Sequence, residues 1–239
     1  MATFVLVHGA FHGGWCWRDV TTRLRESGHD VHAPTLTGLG DRSHLAGATI
    51  DLATHIQDVA NLLEWYELRN VTLVGHSYGG MVITGVADLM AERLSSLVYL
   101  DAVVPGNGQS VLDLQPPDRR AAILDEVAAG GGRFWPPRSA QFYGVQDPAQ
   151  QAWVDGKCTP QPFLTLCEPL CLDGPPAGKV ARKLYVLCTE PPLPYMRQFH
   201  DMAAVADGWQ ATTLATGHDA MVTEPQALAQ LFLEWQSGV

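Results

Sequence analysis

The sequence predicts an α/β fold built on a six-stranded, mostly parallel sheet with helices on both faces. Three observations lead there. Short apolar runs alternate with amphipathic stretches through the first hundred residues, and again after residue 183. Each run is closed by a glycine, a proline or a polar cluster, as buried parallel strands require. With 239 residues, 46% of them apolar and only 17% charged, the chain can bury a sizeable core as one large domain.

The elements follow in order. "TFVLVH" (3–8) is an apolar run that stops at Gly9, the first strand. Trp17, Val20 and Leu24 recur at helical spacing in 16–27, and Gly28 supplies the stop. "DVHAP" (30–34) is the second strand, closed by Pro34. In 51–66, Leu52, His55, Ile56, Val59, Leu62 and Leu63 share one helical face. "VTLVG" (71–75) is a strand, 79–93 a helix opened by two glycines, and "LSSLVYLDAVV" (94–104) the next strand. Alternation resumes with "KLYVLC" (183–188), a helix near 194–205, the strand "QATTL" (210–214) and a helix over 224–236 with Pro225 in its first turn.

Between these halves the rhythm changes. Residues 105–180 hold 11 of the 16 prolines, the run "AAGGGR" and Trp135, Phe142, Tyr143, Trp153 and Phe163. Helices are expected at 118–129 and 147–155, and no strong strand. Lacking a periodic core of its own, this stretch is expected to be a cap inserted into one domain made of 1–104 and 181–239.

Composition narrows the function. A net charge of −10 and no Lys/Arg cluster argue against nucleic acid as a partner. The N-terminus reads as a strand and a Gly-rich turn, not a signal peptide, and no apolar run is long enough for a membrane span. The five cysteines lack metal-ligand spacing, so reduced thiols, a cytoplasmic location, no metal and no cofactor are expected. A homodimer is left open.

The chemistry is carried by "VTLVGHSYGG". Gly75-His76-Ser77-Tyr78-Gly79 is G-x-S-x-G between a strand and a helix. A sharp turn there lifts the Ser77 hydroxyl clear of the backbone, and the flanking glycines avoid collisions across it. The same turn aims the Tyr78 N–H at an oxyanion on Ser77. The loop after the first strand, "HGAFHGG", can give a second N–H from Ala10. His218, in the loop after the last strand, sits where a general base would reach Ser77. His8, His12 and His76 are expected to be structural or pocket-lining. Gly9 and His12, with Trp135, Phe142 and Tyr143 of the insertion, are the expected substrate pocket.

With "FVLVHGAFHGGWCW", "APTLTGLGDRSHL", "VTLVGHSYGGMV" and "GHDAMVTEP", the sequence resembles the α/β-hydrolase superfamily. Within it the chain is most similar to the plant methylesterase and hydroxynitrile lyase group and its bacterial esterase relatives. The likeness covers 3–104 well and 183–236 moderately, and only the placement of a cap elsewhere. It implies Ser77 as nucleophile, His218 as base and the N–H groups of Ala10 and Tyr78 as oxyanion hole.

The acid is where the chain departs from that group. In the plant members it follows "CTE" directly; here Pro191 fills the position. Asp101, ending the strand after the Ser77 unit, is preferred, with Glu190 as the alternative. The reaction expected is hydrolysis of a small or medium apolar, or aromatic, carboxylic ester through an acyl-enzyme. A hydroxynitrile lyase or a ligand-binding protein with degenerate activity are the rivals. In the lyases a lysine follows the catalytic histidine and a threonine follows the first-strand histidine. Here they are Asp219 and Gly9: a carboxylate expected to oppose a leaving cyanide, and a gap expected to admit a bulkier acyl group.

Overall fold

The computed structural model describes residues 1–174 and 177–238. Strands β1 (Thr3–Val7), β2 (Asp30–His32), β3 (Val71–His76) and β4 (Leu94–Leu100) come from the first hundred residues. A short antiparallel ribbon follows, β5 (Phe134–Trp135) with β6 (Gln161–Pro162), and then β7 (Lys183–Cys188) and β8 (Trp209–Leu214). The main sheet has six strands in the order β2-β1-β3-β4-β7-β8, and every pairing in it is parallel.

Strand parity sorts the core into two layers. Val5, Val7, Leu73, Tyr99, Tyr185 and Leu187 point to one face. There they pack on α2 (Leu52–Trp65) and α3 (Gly79–Leu89), and on a helix after β7. Phe4, Leu6, Val74, Val98, Val186 and Cys188 point to the other, against α1 (Arg18–Glu26) and the C-terminal helix. Asp51 caps α2 by accepting the Thr54 N–H at 2.8 Å.

The stretch 105–180 adds α4 (Pro117–Ala129), α5 (Pro148–Asp155) and the single turn α6 (Leu164–Cys167). Its buried Val111, Ile123, Val127, Trp135 and Leu166 join the same apolar cluster as α2 and α3. After this stretch come α7 (Arg197–Ala203), the turn α8 (Ala220–Thr223) and α9 (Pro225–Ser237). No helix is long and apolar enough to cross a membrane.

Several boundaries differ from expectation. The stretch 94–104 is strand only to Leu100, because Asp101 takes a left-handed backbone (φ +41°) and turns the chain off the sheet. The helices expected at 16–27, 79–93 and 194–205 are each part 3₁₀, at Gly14–Trp17, Ala91–Arg93 and Pro194–Met196. The chain reverses its direction across the sheet between β1 and β3, so the loops after these two strands open a crevice at their C-terminal ends.

Candidate active site

Ser77 follows β3 with φ +53°, a conformation costly for a residue with a side chain. The surroundings hold it there. Its N–H donates to Leu100 O at 3.2 Å, and its carbonyl accepts from Gly80 and Val103 N–H at 3.1 and 3.2 Å. The glycines are dictated by contact: a Cβ at Gly75 would lie 2.7 Å from Gly79 O, and one at Gly80 2.0 Å from Val103 O. The turn thereby presents Ser77, half-buried, at the N-terminus of α3.

His218, in the turn before α8, places Nδ1 2.6 Å from Asp101 Oδ2. Asp101 is wholly buried, and its Oδ1 accepts the Cys188 N–H at 3.1 Å. A carboxylate accepts, so Nδ1 of His218 carries the proton and Nε2 is left to face the cavity. From behind, His76 Nε2 donates to the His218 carbonyl at 3.0 Å. Burial, then the neighbouring His218, push the His76 pKa well down, keeping that ring neutral. Glu190 is elsewhere. It is exposed beside Pro191 and Pro192 on a different surface hollow, with its N–H bound to Thr216 O.

Ser77 and His218 share one cavity of about 550 Å³, solvent at its mouth included. Ala10, His12, Tyr78, Trp135 and Tyr143 also line it. Two expected pocket residues do not. Phe142 stands behind the wall, its ring 4.9 Å from the Arg138 guanidinium. Gly9 opens no acyl space, because a Cβ there would sit 2.8 Å from Ser77 Cβ and 2.9 Å from His76 Nδ1. Its smallness serves the close approach of the two loops.

Asp219 also departs from expectation. It is fully buried and binds His12, with Oδ2 at 3.2 Å from Nε2, rather than facing the cavity. The other His12 nitrogen, Nδ1, meets the Ala10 carbonyl at 2.8 Å. A carbonyl on one nitrogen and a carboxyl group on the other is a setting that favours the doubly protonated ring. Burial opposes that charge, but Asp219 and the hydrogen bonds to Asp219 and Ala10 outweigh it and raise the His12 pKa above 6.5. Asp219 is therefore a counter-ion, not a carboxylate aimed at a leaving group. Its Oδ1 has no partner among the described residues.

The sequence did not point to Gln115 and Arg119, two polar side chains that residues 105–180 contribute to the wall. Arg119 donates from Nε to Gln115 at 2.8 Å and lies over the Tyr195 ring at 4.1 Å. Arg119 falls within an expected helix, but its aim into a cavity has no signature in spacing. Among the described residues no cluster of His, Cys, Asp or Glu could hold a metal ion.

A serine on a left-handed turn, a buried carboxylate–imidazole pair beside it and a parallel sheet beneath define a hydrolase, and the chain belongs to the alpha/beta hydrolase family, whose model matches residues 4–231. It is 45% identical, over 96% of its own length and 98% of the relative's, to a carbendazim hydrolyzing esterase of Nocardioides sp.. A putative methylesterase 15 of Arabidopsis thaliana is 27% identical over 78% of this chain but only 45% of its own length. Among solved structures, an extracellular alpha/beta-hydrolase from a Paenibacillus species superposes with a TM-score of 0.85, at 25% identity and 98% coverage of both chains.

Proposed function

We propose that this chain hydrolyses small to medium apolar or aromatic esters through an acyl-enzyme on Ser77. His218 Nε2 takes the proton of the Ser77 hydroxyl as Oγ attacks the ester carbonyl. Asp101 holds His218 in the Nδ1–H tautomer and stabilises the imidazolium that forms. The N–H groups of Ala10 and Tyr78 receive the oxyanion. Collapse expels the alcohol, protonated by His218. Water, deprotonated by the same nitrogen, then attacks the acyl carbonyl and releases the acid, restoring Ser77.

The observation that carries this reading is the convergence of Ser77 with the His218–Asp101 pair in one largely apolar cavity. We take residues 105–180 as the cap, since they contribute Trp135, Ile123 and Leu166 to its wall. The esterase-named relative spanning nearly the whole chain supports ester hydrolysis, and carbendazim is a substrate to try first. The five cysteines are free, which fits a reducing compartment such as the cytoplasm.

The lyase reading has less behind it. The relative that spans nearly the whole chain is named an esterase, and the position after His218 holds Asp219, which is buried against His12 and brings no cation to the cavity. The test is a panel of p-nitrophenyl and methyl esters graded in acyl and alcohol size, with carbendazim and mandelonitrile beside them. Ester turnover without cyanide release is expected; cyanide release rivalling the esters would reverse the assignment.

A further inference from the structure

The oxyanion loop is braced from outside itself. Ala10 lies between two peptide planes. The plane before it carries the Ala10 N–H, and its carbonyl, Gly9 O, is held by His8 Nδ1 at 2.8 Å. His8 can hold it because its Nε2 accepts the Leu36 N–H at 3.0 Å, which fixes the tautomer with the proton on Nδ1. The plane after Ala10 is gripped at both ends. Its carbonyl accepts from His12 Nδ1, and its N–H, that of Phe11, donates to Gln161 Oε1 at 3.1 Å.

Gln161 comes from the insertion, 150 residues away in sequence, and is fully buried. Its amide has one orientation. Nε2 donates at 2.7 Å to Thr165 Oγ1, whose own proton goes to Pro162 O at 2.6 Å, so Oε1 must face Phe11. Phe11 needs such a hold, because its φ of +69° is a left-handed conformation unfavourable for a bulky residue. Thr159 N–H adds a bond to the Phe11 carbonyl at 2.9 Å. The Phe11 ring lies 4.7 Å from Trp135, which is the cross-strand partner of Gln161 and lines the cavity.

We propose that Gln161 is a positioning residue for ester hydrolysis: through Phe11 it sets the aim of the Ala10 N–H, so that the oxyanion hole is complete only when the β5–β6 ribbon of the insertion is seated. The proposal rests on the reading of Ala10 as an oxyanion donor. A donor aimed wrongly loses more in the transition state than in the bound substrate, so the loss falls on kcat rather than KM. Seating of the ribbon would then be sensed at the reacting oxygen with no contact between Gln161 and substrate.

Gln161→Met keeps the length of the side chain and removes the acceptor. Its kcat should fall about 10- to 100-fold at near-unchanged KM, as expected for a misaimed donor. Affinity for a trifluoromethyl ketone, which forms a tetrahedral oxyanion on serine, should fall by a similar factor. Gln161→Glu, which keeps an acceptor for Phe11, should recover most of the loss. Thr165→Val, which frees the far end of the amide, is the milder variant if Gln161→Met melts below assay temperature, and should show the same kcat-selective loss in smaller measure. Unchanged kcat and ketone affinity, or a loss confined to KM, would overturn the proposal. A crystal structure of the phosphonylated wild-type enzyme separates the two levels. A phosphoryl oxygen on the Ala10 N–H with silent Gln161 and Thr165 variants refutes only the role of Gln161. An oxygen bound elsewhere refutes the oxyanion reading beneath it.

Discussion

His218 Nδ1 and Asp101 Oδ2 stand 2.6 Å apart, both side chains buried, tying the turn after β8 to the turn after β4. This pairing makes the two acidic candidates experimentally separable. Asp101→Asn keeps the shape but offers an amide that favours the wrong imidazole tautomer, and kcat should fall on the order of 10⁴-fold. Glu190→Gln, at an exposed site on another hollow, should leave kcat near wild type. Steady-state kinetics of the two variants decide; the opposite ranking would move the acid to the loop after β7.

The His12–Asp219 pair gives stability an alkaline limb. His12 is charged in the folded state with its pKa raised above 6.5, so its contribution is whole below that value and is lost as pH rises through the raised one. The titratable groups around the pair stay neutral there. His8 and His76 are pushed down, while Cys16, Tyr143 and Cys158 are pushed up. Asp219→Asn leaves no counter-ion, so His12 should deprotonate in the fold and lose its dependence on pH above 6.5. The variant should be less stable at pH 6 by about 3 kcal/mol, typical of a broken buried pair. Denaturant titrations across pH 6–9 check it; equal slopes in both proteins would contradict the ion pair.

Acid should destabilise the protein before carboxylates titrate. Burial pushes the His8 pKa down to about 3, and burial likewise lowers those of His55 and His76. The unfolded chain takes up these protons near 6.5 and the folded one does not, so stability is lost as pH falls below 6.5. Each such histidine steepens the loss by about 1.4 kcal/mol per pH unit. Unfolding free energies at pH 7, 6 and 5 should drop progressively, and His8→Asn, whose amide can take the place of Nδ1 at Gly9 O, should flatten the slope by about one proton. A level profile would mean that these rings are protonated or solvated in the fold.

The sheet was legible in the sequence because its strands are short apolar runs between glycines and prolines, and burial on both faces writes itself into composition. Ser77 was legible because its turn tolerates few residues on either side. The direction of loop side chains was not. Gly9, Phe142 and Asp219 all lie next to the site in sequence, yet one packs on Ser77, one stands behind the wall and one turns toward His12. Which way a loop side chain turns depends on a partner far along the chain, here 207 residues for Asp219. Gln161 is the extreme case: a lone amide between two prolines, in no periodic pattern, whose partner is a backbone N–H in the first loop.

Reaction with a fluorophosphonate, followed by peptide mass spectrometry, tests the central claim most directly. The account predicts one adduct, on Ser77, formed in step with the loss of ester hydrolysis, and a Ser77→Ala protein that is folded, unlabelled and inactive. An active protein that takes no label, or a Ser77→Ala variant hydrolysing at wild-type rates, would contradict it.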